Sequence, residues 1–296
     1  MRQRTIQAVM AMTLMIGAAN AAAADVPAPD ARCAADAVVA GTVCLDRYEV
    51  SAWRVPDPNT ANASLVAKIQ LGSATRGDLG AAGATQLGGG GDDYAPCGDD
   101  GRNCGDIYAV SIPSVAPAAF ITWFQAQEAC ANSGKRLPSS AEWQIGANGT
   151  PDPGPDDGTA DCNTARGTAT LTGERSRCAS ARGARDMVGN LAEWVADWTP
   201  LSTDCPGWAS FSGDLMCLAG ANETKSAPGA LLRGGAFSDG AAAGPFAVSG
   251  DVDPTRAEDF IGFRCARALP EPGRAAQFGA SVTALAVLAR RRRRSS

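Results

Sequence analysis

Ten cysteines and no histidine decide which chemistry this 296-residue chain has to hand. Without imidazole there is no Ser–His or Cys–His nucleophile and no histidine-ligated zinc or iron. The thiols remain, as soft metal ligands or as disulfides. Eight of them form close couples: Cys33/Cys44, Cys97/Cys104, Cys162/Cys178 and Cys205/Cys217. Each couple brackets a stretch rich in small and polar residues, the kind of loop that a covalent staple orders. Cys130 and Cys265 are left over and far apart. An even count suits full pairing in an exported protein, although ten cysteines allow far too many pairings for spacing to fix the connectivity.

The two ends favour export. Residues 1–24 have a basic start, an apolar stretch from Ile6 and small residues before Asp25, the layout of a signal peptide cut after Ala21 or Ala24. Residues 269–296 run from LPEPGR through a mildly apolar stretch, Ala275 to Ala289, to the arginine cluster Arg290–Arg294. That stretch is shorter than the roughly 20 residues a membrane helix needs. Its order of Pro-Glu-Pro, apolar stretch and arginines resembles the PEP-CTERM sorting tails, which implies transient membrane association during surface delivery. Residues 25–268 are then the folded domain. Of the 26 basic residues, seven are arginines at the two ends, leaving 19 against 31 acidic ones. A nucleic-acid partner is excluded on that balance.

The elements that must position any site are short. CLDRYEVSAW (44–53) reads as a strand, and the Gly/Asp-rich residues 71–106 read as loop. Thr122 and Gln125 fit a capping box at the head of a helix that Gly134 closes. Ser139 and Glu142 repeat the signal behind Pro138. Residues 148–185 return to loop. DMVGNLAEWVADW (186–198) reads as a short amphipathic turn, and LLRGGAF and IGFRCAR as strand-like pieces. The predicted class is irregular α+β with little regular structure, stapled by disulfides.

Six segments in this order, CLDRYEVS, ITWFQAQEAC, GKRLPSSAEW, DMVGNLAEW, LLRGGAF and GFRCAR, span residues 44–267. Together they resemble the sulfatase-modifying-factor family, whose type member is the formylglycine-generating enzyme. The resemblance implies a C-type-lectin-like fold and a disulfide between Cys130 and Cys265. It also implies where an active site would lie. Family enzymes oxidise a substrate cysteine with oxygen, using Cu(I) held by two cysteines five residues apart, and soft thiolates suit Cu(I). Those positions fall here at Asp239 and Gly244. The motif serine is Ala236, and Phe246–Ser249 replaces the arginine-containing stretch. No cysteine lies between Cys217 and Cys265, so copper and the family oxidation are not expected.

The resemblance further implies calcium under the GNxxEW turn, held by Asp186, the carbonyls of Gly189 and Leu191, and Glu193. Calcium takes 6–8 oxygens, and two carboxylates across a tight turn supply much of that shell. Alternatively, Glu193 is satisfied by Lys135 or Arg136, and Asp186 is a cap. A second family calcium falls at Asn163 and Thr164. CGDDGRNCGD (97–106) lacks EF-hand spacing and reads as a solvated disulfide turn. Core packing is expected for every tryptophan except Trp208.

The expected function is an exported, calcium-stabilised, non-catalytic binding or structural module whose partner is an extracellular ligand or protein. The alternative is a divergent oxidoreductase in which Asp239, Asp251, Asp253, Glu258 and Asp259 gather around a different metal. The two readings differ in whether those carboxylates converge.

Overall fold

The computed structural model describes residues 32–270 except 153, 155 and 222–226. The expected signal peptide and nearly all of the sorting tail lie outside these. Among the described residues no helix is long and apolar enough to cross a membrane.

Among the described residues the domain has three sheets and four short α-helices. Strands β1 (Ala37–Ala40) and β2 (Val43–Asp46) form a hairpin around Gly41, whose φ of 63° suits glycine. Strand β3 (Ser51–Arg54) leads to α1 (Ala63–Gln70), α2 (Arg76–Ala81) and β4 (Thr85–Leu87). Then come β5 (Ile107–Val110), α3 (Trp123–Asn132) and α4 (Ser140–Ala147). The remaining strands are β6 (Ala192–Pro200), β7 (Met216–Cys217), β8 (Pro228–Arg233), β9 (Val248–Ser249), β10 (Ile261–Phe263) and β11 (Ala266–Ala268). The sheets are ordered β1-β2-β11, β4-β3-β5 and β10-β6-β8-β9-β7. Strand β11 returns to pair with β2, so the last strand of the domain closes the sheet begun by the first hairpin.

Both capping boxes form. The Thr122 hydroxyl accepts from Gln125 N while Gln125 Oε1 accepts from Thr122 N, and Ser139 and Glu142 repeat the exchange. Each such cap contributes about 1 kcal/mol.

The ten cysteines form five disulfides: Cys33–Cys44, Cys97–Cys104, Cys130–Cys265, Cys162–Cys178 and Cys205–Cys217. Cys130–Cys265 joins α3 to the link between β10 and β11. The loop setting expected for the close couples is corrected at Cys44, while the loop between Cys162 and Cys178 forms as expected but is anchored in the interior. Cys44 lies inside β2, opposite Val39 on one side and Arg267 on the other, so its bridge to Cys33 encloses a hairpin strand rather than a loop. The valines at 38, 39 and 43 favour that strand over a coil. Cys178 is buried, and with Cys162 it packs against Val188 and Ala243 in a small apolar cluster. A paired half-cystine has no thiol to solvate and packs as a small hydrophobe. This bridge is therefore part of the interior, and Cys178 O accepts from Asp186 N at 3.1 Å at the start of the GNxxEW turn.

Three further local expectations are corrected. The strand expected over 44–53 is two strands. Residues 47–50 leave the ladder, because Tyr48 N donates to Ser111 Oγ and Glu49 turns into the interior. The 71–106 loop contains α2 and β4. Gly77 and Gly80 weaken the helical signal, and Thr75 with Asp78 supplies a full capping box instead. Residues 192–198 are strand rather than helical turn. Pairing with β10 on one side and β8 on the other buries Ala192–Val195, which overrides the four-residue tryptophan spacing.

Candidate functional site

Two regions gather the chemistry. The first is a buried charge centre where motifs distant in sequence meet. Arg264 Nε donates to Glu193 Oε2 at 2.6 Å and its Nη2 to Glu193 Oε1. Trp143 Nε1 donates to the same Oε2 at 2.6 Å. Arg264 Nη1 reaches Asp46 O at 3.0 Å and Nη2 reaches Arg185 O at 2.9 Å. Burial opposes the charge on Arg264, but Glu193, Glu49 and Asp186 outweigh it and hold the guanidinium above its ordinary pKa. The partner of Glu193 is therefore Arg264. Lys135 instead bridges Asp36 and Asp46, and Arg136 pairs with Glu142.

Glu49 is the residue that sequence reasoning missed. It is fully buried, accepts from Leu191 N at 3.0 Å, and also accepts from Asn190 Nδ2. Burial raises its pKa well above the carboxylate range, and Asp186 and Glu193 raise it further. The signal was available: Glu49 is an acid inside a strand-like run. Asp186 is pushed up to about 6, chiefly by burial, against the Gly173 amide that donates to it at 2.6 Å.

Three buried carboxyl groups thus face one buried guanidinium, and two of them, Glu49 and Asp186, resist ionisation there. Next to the same turn, Asn163 Oδ1 is buried with no hydrogen-bond partner. Asn163 Nδ2 donates to Asn190 Oδ1, and Asn163 O accepts from Asn190 N at 2.7 Å. Gly189 packs so closely that a Cβ there would lie 2.2 Å from Asn163 O. The two expected calcium ligand groups are therefore neighbours. The donor set fits a hard cation through Asp186, Asn163 and the turn carbonyls, whereas both Glu193 oxygens are engaged by Arg264 and Trp143.

The second region is a cleft of about 210 Å³ between β6, β8 and β9, walled by Leu232, Val252 and Phe260 and carrying Asp239, Ser249 and Asp251. Burial raises the pKa of Asp239, and the Ala236 amide, donating to it at 2.8 Å, acts against that rise. A Cβ on Gly244 would lie 2.3 Å from both carboxylate oxygens of Asp214. Asp214 is itself buried, accepts from Phe246 N at 2.7 Å and keeps Oδ1 unpartnered. The room for a side chain at position 244 is taken by a carboxylate.

Of the five acids that might have gathered around another metal, only Asp239 and Asp251 share the cleft. Asp253 caps its own turn through Thr255, Glu258 pairs with Arg256, and Asp259 lines a separate cavity with Phe120 and Phe237. None of the ten cysteines is free.

Two groups of aromatic side chains pack together outside the cleft lining. Trp208, Phe211 and Phe246 contact one another with centroids 5.8 and 5.0 Å apart, and Phe211 is 65% exposed. Trp198, expected in the core, is 44% exposed and packs edge-on against Trp123 and Phe124. A register shift in β6 between Trp194 and Trp198 separates the buried half of the strand from its outward half. The Cys97–Cys104 segment is a backbone-bonded turn, with Gly98 N donating to Arg102 O at 2.8 Å.

The sulfatase-modifying factor enzyme 1-like domain model matches residues 97–269, more than half of the chain and five of the six motif segments. The chain belongs to this family. A similar stretch occurs in the serine/threonine-protein kinase Pkn1 of Chlamydia trachomatis serovar L2, 29% identical over 142 residues. That match covers 39% of this chain and 22% of the kinase, so the chain spans under a quarter of that relative's length. Among solved structures, the Major Tropism Determinant M1 variant is 18% identical with a TM-score of 0.43, covering 78% of this chain and 51% of that one. PvdO from Pseudomonas aeruginosa is 22% identical with a TM-score of 0.37, covering 77% and 80%. The mixed α+β architecture with few helices is that of the family's C-type-lectin-like fold.

Proposed function

We propose that this chain is an exported, non-catalytic member of the family that serves as a surface or secreted binding or structural module. One observation carries the reading. Every cysteine is in a disulfide, and the two positions to which the sequence resemblance assigns the family's copper ligands are Asp239 and a glycine pressed against Asp214. A hard carboxylate does not replace a soft thiolate for Cu(I). The cleft has apolar walls in Leu232, Val252 and Phe260, which suits capture of an extracellular ligand or protein better than oxidation of a cysteine.

Calcium belongs to the same proposal as a structural ion. Asp186, Asn163 and the carbonyls of Gly189, Leu191 and Thr164 would hold it, and its charge would favour the ionised form of Asp186. The C-terminal tail would give transient membrane association before release or surface display.

Metal analysis of the purified mature protein tests the proposal together with an aldehyde assay on a cysteine-containing sulfatase peptide. Calcium without copper or iron, and no aldehyde, is the expected result. Stoichiometric copper or iron, or aldehyde formation, overturns it in favour of a divergent oxidoreductase.

A further inference from the structure

The Cys205–Cys217 disulfide lies beside Asp251 at the rim of the cleft. Both sulfurs and a carboxylate oxygen of Asp251 lie within 4.8 Å of one another. Two of these groups come from fixed backbone. Strand β7 pairs with β9 so that Cys217 is opposite Ser249, and Gly250 N donates to Cys217 O at 2.8 Å. The Ser249 hydroxyl bonds Asp251 Oδ1 and orients the carboxylate. Cys205 differs from the other nine cysteines: it alone is exposed, Cys33 being half-buried and the rest buried. Thiol–disulfide exchange requires access to a sulfur. A dithiol in solution therefore reaches this bridge before the other four.

We propose that reduction of Cys205–Cys217 turns this corner of the cleft into a site for a thiophilic divalent cation of the zinc type, bound by Cys205 Sγ, Cys217 Sγ and the Asp251 carboxylate. The redox step balances. A dithiol reductant is oxidised to its own disulfide and delivers two electrons and two protons, the S–S bond breaks, and two thiols form. Cation binding then releases the two thiol protons.

Two thiolates and a carboxylate form an accepted tetrahedral donor set, with Zn–S near about 2.3 Å and a fourth position left open. Bonded sulfurs must part to span a metal. The exposed Cys205 segment supplies that movement, while strand β7 holds Cys217 and Ser249 at the end of β9 holds the Asp251 carboxylate. Oxidised, the corner offers a single carboxylate beside a neutral disulfide, so the bridge gates the site. Asp251 also lines the cleft, which puts the open position beside whatever ligand the cleft takes. The site uses neither Asp239 nor Gly244 and holds whether or not the domain is catalytic.

The test uses the purified protein treated with limiting dithiothreitol. Alkylation mapping should label Cys205 and Cys217 before any other cysteine. Adding Co²⁺ should then produce a thiolate-to-cobalt charge-transfer band that Zn²⁺ abolishes. The unreduced protein and the Cys205→Ser/Cys217→Ser variant should give no band, and Asp251→Asn, which keeps the disulfide, should weaken cobalt binding at least tenfold. Oxygen-only calcium sites give no such band, so they do not mimic the signal. First labelling at another pair, a reduced protein without the band, or an Asp251→Asn variant that binds cobalt unchanged each overturns the proposal.

Discussion

Glu193 and Arg264 form a bidentate ion pair with essentially no solvent exposure, the two side chains being 1% and 0% accessible. Glu193 lies on β6, and Arg264 follows β10, which runs parallel beside it. The next residue, Cys265, is bonded to α3. Charge pair and disulfide thus fasten the same junction, one electrostatically and one covalently. Breaking a buried pair by removing one partner leaves the other charge without compensation and costs about 3–5 kcal/mol. Glu193→Gln and Arg264→Met should each lower stability by that amount in urea melts. The double variant should recover part of it, because neither member of the pair is left facing a missing partner, while Glu49 and Asp186 lose Arg264 in the single and the double variant alike. Single variants costing under about 1 kcal/mol would remove the pair from its structural role.

The raised carboxyls next to this pair carry a pH signature. Asp186 sits at about 6 and Glu49 is also raised, both mainly through burial. A carboxyl whose folded pKa exceeds its unfolded value stabilises the fold below the unfolded pKa, near about 4, and loses that contribution as pH climbs through the folded value. In chelator, wild type should therefore lose stability relative to Asp186→Asn between about pH 4 and pH 7. Saturating calcium should flatten the difference, since the cation replaces the protons. A wild-type-minus-variant difference that is flat with pH in chelator removes Asp186 from the account.

Much of this centre was legible in the sequence, but its pairing was not. The motif segments located Asp186 and Glu193, Arg264 was passed over inside GFRCAR in favour of Lys135 or Arg136, and the capping boxes at Thr122 and Ser139 located two helices. What failed depended on contacts between distant segments. Glu49 read as a strand residue because nothing local shows that its carboxylate meets Leu191 N across 142 positions. Cys178 read simply as the end of a loop, and its burial was not legible because Val188 and Ala243, which pack against it, lie further along the chain. Cys44 was placed at a strand start, yet the strand that its bridge to Cys33 encloses went unread, since β1 is only four residues long. Trp198 read as core because a register shift is invisible in the spacing of Trp194 and Trp198. Helix α1 went unread because only Leu65 and Ile69 are buried in it. At position 244 the sequence shows a missing side chain. The structure adds that Asp214 occupies the space.

Calcium should reveal itself through stability. A ligand bound only to the folded state adds RT ln(1 + [L]/Kd), or about 2.7 kcal/mol at a hundredfold excess. Chelation should lower the melting temperature, and Asp186→Ala and Asn163→Ala should each remove most of that sensitivity. Glu193→Ala is the wrong probe, because it releases Arg264 with or without the ion. Identical melting of the wild type with and without chelator would sink the calcium proposal.

Cys130–Cys265 spans 135 positions, the longest loop of the five bridges. In the chain-entropy model a loop of that size contributes on the order of 5 kcal/mol. Cys130→Ala/Cys265→Ala should therefore destabilise the domain more than the corresponding Cys97→Ala/Cys104→Ala variant, whose loop is the shortest. Denaturant midpoints rank the two. The reverse order would mean that burial around these half-cystines, rather than loop size, decides their worth.

The cleft gives the last prediction, and the Gly244–Asp214 contact sets its design. As isolated with its disulfides intact, the protein should neither bind Cu(I) tightly nor convert a sulfatase peptide to the aldehyde. Placing cysteines at both family positions should not by itself repair this. Any side chain at 244 starts 2.3 Å from the Asp214 carboxylate, so Gly244→Cys should cost about 1–3 kcal/mol through overpacking. Adding Asp214→Gly removes the clash and the buried charge together. The variant Asp214→Gly/Asp239→Cys/Gly244→Cys should therefore be more stable than Asp239→Cys/Gly244→Cys and should take up Cu(I) when reduced. Turnover is still not expected if, as the sequence resemblance implies, Ala236 and Phe246–Ser249 stand where the family has its remaining active-site groups. Comparing midpoints and copper content of the two variants checks the steric claim. If Asp239→Cys/Gly244→Cys proves as stable as wild type, Asp214 does not fill the space at 244, and the case for a cleft closed to copper loses its geometric half.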